Sequence, residues 1–200
     1  VPDPAAPIDR PRANPRHPPA IRPLARPPVL APTATATEAV ASKIIGRLEL
    51  RDPVMIRSGF DRPNLSFDVV GFEGKGTKDG KRALLLGALS DPELRPAIVY
   101  CGTRKDCEEV ASLLRGDGIR AHHYHAGLAT EARTAVQRDF MTGELEVIVA
   151  TNAFGMGVDK ADVRLVCHWA MPTSVEAYYQ EAGRGGRDGA PARALLLASR

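Results

Sequence analysis

Apolar and polar positions change texture along this chain. Residues 1 to about 28 show no hydrophobic periodicity. Eleven of the seventeen prolines fall within the first 32 residues, with five arginines interleaved from Arg10 to Arg26. Proline removes amide donors and fixes φ, so neither helix nor sheet can propagate there, and residues 1–28 are expected to be disordered. From Val29 the pattern becomes regular. Val29-Leu30-Ala31 predicts a short strand, and Thr37 is placed to cap a helix running to about Leu48, with Val40, Ile44, Ile45 and Leu48 on one face. Pro53 and Pro63 bracket a connecting segment. Beyond it, strands and helices alternate. Strands are expected over 65–70, 97–100, 121–124, 147–150, 165–168 and 193–197. Helices are expected over 81–89, 105–115, 130–142 and 174–182. Short apolar strands alternating with amphipathic helices predict an α/β fold, a three-layer arrangement with a parallel sheet covered on both faces. Ligands of such sheets gather at the loops beyond the carboxyl ends of the strands.

Composition narrows the picture modestly. Hydrophobic residues make up 44% and charged residues 26%, ordinary values for a soluble globular protein. The net charge of +3 means that any nucleic-acid surface must be local. Cys101, Cys107 and Cys167 form no C-x-x-C pair, so reduced thiols and a cytoplasmic location are expected. No apolar run has the length of a membrane span, and no membrane partner is expected. The chain opens on Val1 rather than methionine, as expected of a fragment or an unusual start codon.

Four loops carry candidate chemistry. Cys101-Gly102-Thr103-Arg104 opens a helix, where free amides, a hydroxyl and an arginine suit a phosphate, although Thr103 equally suits plain helix capping. Tyr124-His125-Ala126-Gly127-Leu128 follows the next strand. His122 and His123 precede it without an acidic partner at metal-site spacing, so no metal site is expected. Thr151-Asn152-Ala153-Phe154-Gly155-Met156-Gly157-Val158-Asp159-Lys160 allows close backbone approach at its glycines. The fourth loop, Gln180-Glu181-Ala182-Gly183-Arg184-Gly185-Gly186-Arg187-Asp188-Gly189, places two arginines three residues apart among glycines. A guanidinium matches phosphate oxygens and stays charged, which suits an arginine finger. Gly71-Phe72-Glu73-Gly74-Lys75-Gly76-Thr77 misses the spacing of a phosphate-binding P-loop and reads as a flexible connector.

Over about residues 29–200 the chain resembles the second RecA-like lobe of RecQ-family DNA helicases, within helicase superfamily 2. The resemblance rests on S-G-F-D-R-P-N-L over 58–65, Y-H-A-G-L over 124–128, A-T-N-A-F-G-M-G-V-D-K over 150–160 and Y-Y-Q-E-A-G-R-G-G-R-D-G over 178–189. DEAD-box proteins carry a histidine-arginine version of the last motif. Thr33-Ala34-Thr35 resembles the motif that closes the first lobe. Residues 29–57 would then be a remnant of the first lobe with the interlobe linker, and 58–200 the C-terminal lobe. The resemblance implies an ATP-dependent enzyme unwinding DNA 3′ to 5′ in recombination and repair. It implies that Arg184 and Arg187 reach ATP phosphates across the interlobe cleft, with Arg187 as the finger. Gln180, Gly183 and Asp159 would serve the nucleotide side. Thr103, Arg104, His125, Gly127 and Thr151 would line a single-strand track that grips backbone more than bases.

The first lobe's Walker A lysine and threonine and Walker B acidic pair do not occur in these 200 residues, nor do a four-cysteine zinc module and winged helix. ATP and Mg2+ would therefore be bound mainly by a first lobe, the implied partner besides DNA, and the chain alone is expected to be inactive. Two other readings of the same residues stay open: a non-catalytic single-strand-binding module, and a gene fragment without a function of its own.

Overall fold

The computed structural model describes residues 29–31, 38–56, 62–74, 76–155 and 159–199. The tail before residue 29, Thr33-Ala34-Thr35, Thr37, residues 57–61 and Met156-Gly157-Val158 lie outside the described residues. The chain divides into two units between Ser58 and Gly59. In the first, the expected helix is present as α1 (Glu38–Leu48), with Glu38 in its first turn and Arg47 in its last, both favourable to the helix dipole. No strand forms at Val29-Leu30-Ala31, where Leu30 is exposed. Among the described residues no strand pairs with this segment to take its amides.

The second unit runs β1 (Leu65–Phe72), α2 (Thr77–Leu89), β2 (Ala97–Tyr100), α3 (Arg104–Gly116), β3 (Ala121–Tyr124), α4 (Thr130–Thr142), β4 (Val147–Ala150), β5 (Leu165–His168), α5 (Val175–Ala182) and β6 (Ala192–Ser199). Its six strands form one sheet in the order β1-β6-β5-β2-β4-β3, with every neighbouring pair parallel. β2, β4 and β5 are buried throughout, which is why they read as unbroken apolar runs rather than alternating ones.

The pleat sends neighbouring residues of one strand to opposite cores. Ala97 and Val99 pack with Leu85 and Leu89 of α2 and with Val110 and Leu114 of α3. Ile98 and Tyr100 pack with Val136 and Phe140 of α4. Leu65, Ala182, Ala192 and Ala194 form a third, smaller cluster beside Tyr178 of α5. Helices on both faces complete the three-layer α/β fold expected from the alternation.

The segment from Gly71 to Thr77, expected as a flexible connector, is entered by elements from both ends, and Glu73, Gly74 and Gly76 lie between them. Gly71 and Phe72 finish β1, paired in register as far as Phe72 opposite Ser199, and α2 starts at Thr77 instead of near Lys81. Gly80 hid this helical turn, because glycine is a poor helix former. A Cβ at Gly80 would stand 2.9 Å from Phe72 Cε1, so the glycine admits the ring that closes β1 onto α2.

Because all strands are parallel, the segments after β2, β3, β4 and β5 emerge along one edge of the sheet. Every candidate loop begins on that edge except the arginine loop, which follows α5.

Candidate functional site

The arginine loop is a built structure. Ser174 caps α5 by accepting from the Ala177 amide at 3.1 Å, and the helix runs out at Gly183, whose amide donates to Tyr179 O at 2.8 Å. The chain then turns under backbone bonds that cross to the segment before β5: Gly186 N donates to Val163 O at 2.8 Å and Asp188 N to Ala161 O at 3.2 Å. Gly186 takes a left-handed φ of 55°, and a Cβ there would lie 2.5 Å from Ala190 O and from Asn64 Nδ2. Only glycine meets both conditions.

Two side chains just before β1 hold this turn from outside. Arg62 donates from Nη1 to Gly183 O at 3.3 Å and from Nη2 to Gly185 O and Gly186 O at 2.9 Å each. Asn64 Nδ2 donates to Gly186 O at 2.7 Å and Ala190 O at 2.8 Å. Sequence reasoning singled out R-P-N only as a family signature and assigned it no task. The signal was an arginine and an asparagine flanking a proline ahead of a strand, too generic to name a target 121–124 residues away.

The two arginines are placed differently. Arg184 turns inward: a Cβ on Gly155 would fall 2.5 Å from its Nη2, so the glycine of the Thr151 loop makes room for it. The Tyr100 phenol lies beside it and donates to Phe154 O at 3.1 Å. Burial pushes that phenol up to about 12 against the opposing pull of Arg184. Arg184 thereby ties the arginine loop to the segment after β4. Arg187 is exposed, and its Nη1 meets Asp159 Oδ1 at 2.6 Å. Asp159 is 84% exposed, and ion pairs at such positions contribute about 0–1 kcal/mol, so the pair is a weak one. Gln180 is exposed on α5, one turn before Arg184.

Arg164 fixes the end of the loop by gripping Asp188 through both guanidinium ends, with Nη1 to Oδ1 at 3.0 Å and Nη2 to Oδ2. That hydrogen bonding, first among the causes, holds the Asp188 carboxyl down at about 2. A depressed carboxyl contributes stability above its ordinary value, near about 4, and loses it as pH falls through the folded value. An NMR titration should therefore find Asp188 ionised down to about pH 2, and Arg164→Ala should return it to the ordinary carboxylate range. An ordinary value in the parent protein would mean that the Arg164 grip does not persist in solution.

Of the five strand-track residues, four converge. Arg104 opens α3 and reaches the loop after β3, where its Nη1 would lie 3.1 Å from a Cβ on Gly127. His125 is buried beneath that loop. Its Nδ1 accepts from Gly127 N at 3.2 Å, and its Nε2 faces Glu108 Oε1 of α3 at 3.1 Å. Thr151 N donates to Tyr124 O at 3.2 Å, which binds the segment after β4 to the residue before His125. Thr103 is otherwise engaged. Its hydroxyl accepts from Asp106 N at 3.1 Å and donates to Asp106 Oδ2 at 2.6 Å, so it caps α3. At this helix start, Arg104 is what remains for an anion, together with the first-turn amides.

A second pair escaped sequence reasoning. His168 at the end of β5 is buried, with Nε2 2.9 Å from Glu181 Oε2 of α5, and its ring stacks on Tyr100. It anchors the helix from which the arginine loop departs.

Comparisons with known proteins bear on the family. The family described as helicase conserved C-terminal domain matches residues 80–189. The ATP-dependent DNA helicase hus2/rqh1 of Schizosaccharomyces pombe is 44% identical over 173 residues, covering 86% of this chain and 13% of that protein. The ATP-dependent DNA helicase RecQ of Pasteurella multocida is 42% identical over 170 residues, covering 85% and 26%. The chain therefore spans roughly an eighth to a quarter of the length of these relatives. Among solved structures, the Escherichia coli DEAD-box protein SrmB superposes with a TM-score of 0.60 at 28% identity, over 67% of this chain and 78% of that one. A DEAD box protein from Methanococcus jannaschii gives 0.64 at 24% identity over 84% and 44%, a likeness of fold alone. With more than half of its residues inside the family match and its motifs in RecQ form, the chain belongs to the helicase conserved C-terminal domain family, as the second lobe of a RecQ-type helicase.

Proposed function

We propose that this lobe serves ATP-dependent 3′ to 5′ unwinding of DNA, in recombination and repair within the cytoplasm, by closing on a first lobe that carries the phosphate cradle. The observation that carries the reading is the asymmetry of the two arginines. Arg184 is committed to Gly155 and the Tyr100 phenol, whereas Arg187 stands exposed on a braced loop against a carboxylate it can exchange. Arg187 would meet charge developing on the transferred phosphoryl group. Arg184 would report that state to the Thr151 segment, and Asp159 would exchange between Arg187 and the nucleotide. Gln180 and Gly183 would border the nucleotide. The groups facing that side are cationic, so ATP phosphates fit here. Mg2+ would need more carboxylate than Asp159, which Arg187 and the nucleotide would share. The ion's ligands would come from the first lobe.

Single-stranded DNA would run across Arg104, Gly127 and Thr151, with His125 shaping the loop and the α3 start at Thr103 lending amides. The experiment is a salt titration of single-strand binding by the chain. Log affinity should fall with log salt at a slope near two to four phosphate contacts, about 0.7 each for single strands. Arg104→Ala should flatten the slope by about 0.7, one contact's share. Tight binding indifferent to salt, or selective for one base sequence, would favour a dedicated binding module.

A further inference from the structure

We infer that His123, His125 and Glu108 form a binding site for a divalent transition-metal ion of the zinc class, on the outermost strand β3 and the helix α3 beside it. His123 lies on β3 and His125 follows directly after its end, and their rings stack with centroids 5.2 Å apart. α3 brings Glu108 to the same place, and one ligand atom from each of the three lies within 4.8 Å of the others. His125 Nε2 and Glu108 Oε1 are 3.1 Å apart. Bonds of about 2.0 Å in a tetrahedron set ligand atoms about 3.3 Å apart, so this pair already has the spacing of two vertices. A small rotation of His123 supplies the third, and water the fourth.

Two further observations favour an ion over a plain hydrogen-bonded pair. His123 Nδ1 is buried without a hydrogen-bond partner, a condition that buried polar atoms rarely keep. Burial, then the neighbouring His122 and His125, holds the His123 imidazole below its ordinary value, so the ring is neutral and ready to ligate near neutral pH. Two imidazoles with one carboxylate suit zinc, cobalt or nickel, and not the all-oxygen preference of calcium or magnesium. The sequence concealed the site because its carboxylate lies fifteen residues before His123 and arrives only through packing of α3 on β3.

Occupancy has a consequence for the loop. At present Nδ1 of His125 accepts from Gly127 N, so the neutral ring carries its proton on Nε2. A metal on Nε2 requires that proton to sit on Nδ1, where it faces the Gly127 N–H donor to donor. The Gly127 bond must open, and the tip beside Arg104 must shift. The effect on single strands rests on the track reading proposed above, whereas ion binding does not.

The test is zinc titration of the full chain by calorimetry, paired with the visible spectrum of the Co2+ form. One ion per chain should bind, giving four-coordinate ligand-field bands without a thiolate band, and zinc should shift the Gly127 amide resonance. His123→Ala and Glu108→Gln should each weaken binding at least as much as lost outer-shell partners do, roughly 10–100-fold. His122→Ala should leave it unchanged. Glu108 is surface-exposed, so Glu108→Gln remains decisive if His123→Ala fails to fold. Absence of binding at millimolar zinc, affinity indifferent to both substitutions, or a thiolate band would overturn the site. If zinc binds as expected and single-strand affinity does not move, the track reading of this loop fails while the metal site stands.

Discussion

Replacing Arg187 with alanine, in this chain fused behind a RecQ-type first lobe, should cut DNA-stimulated ATP turnover by about a thousandfold or more. The loop that carries Arg187 is held by Arg62, Asn64 and the Arg164–Asp188 pair, none of which uses its guanidinium. The substitution therefore removes charge from the phosphoryl group without dismantling the loop. Arg187→Lys should recover little, since a point charge does not reproduce a planar fork of donors. The KM for ATP should change far less than the rate, because the finger acts on charge that appears in the transition state. The chain without a first lobe should show no DNA-stimulated turnover. Arg184→Ala should carry a different signature, losing coupling to DNA together with folding stability, because Arg184 packs against Gly155 and Tyr100. Normal turnover in Arg187→Ala beside a dead Arg184→Ala would reverse the two assignments.

Gly186→Ala should lower the free energy of unfolding by about 2–4 kcal/mol, combining left-handed backbone strain with overpacking. The new methyl would meet a backbone carbonyl, Ala190 O, and the clamping amide of Asn64, both at 2.5 Å. The first is backbone, and the second, though the end of a side chain, is held by its bonds to Gly186 O and Ala190 O. The neighbouring Gly185→Ala makes the comparison sharp. Its Cβ would meet Ala192 Cβ and Leu65 Cδ1 at 3.2 Å, atoms that can yield by a few tenths of an ångström, so a cost below about 1.5 kcal/mol is expected. Urea unfolding of both variants checks the difference. Equal midpoints would mean that the loop backbone relaxes, and that the Arg62 and Asn64 clamp does not brace it.

The alternation of apolar runs was enough to place six strands and five helices close to where they stand, because each of those elements buries a face with its own period. Errors fell where a neighbour overrode the local pattern. The turn at Thr77 is helical although Gly80, which lies against the Phe72 ring, weakens its local signal. Val29-Leu30-Ala31 stayed unpaired for want of a strand beside it. The four candidate loops were also legible, since glycines, arginines and a histidine at strand ends are local signals. So was the family, through motifs written in consecutive residues.

Which partner each of those residues takes was not legible. From the sequence alone Arg184 and Arg187 differ by three positions, yet one is packed on Gly155 and the other is paired with Asp159 at the surface. Thr103 offered a hydroxyl to phosphate until Asp106 took it. Arg62 reaches carbonyls more than 120 residues away, Glu108 reaches His125 across a helix–strand contact, and His168 finds Glu181 beneath α5. Local order follows from φ preferences and the period of burial, which neighbouring residues carry between them. The pairing of a donor with a distant acceptor exists only after the sheet has brought their strands to one edge, so tertiary structure alone decided it.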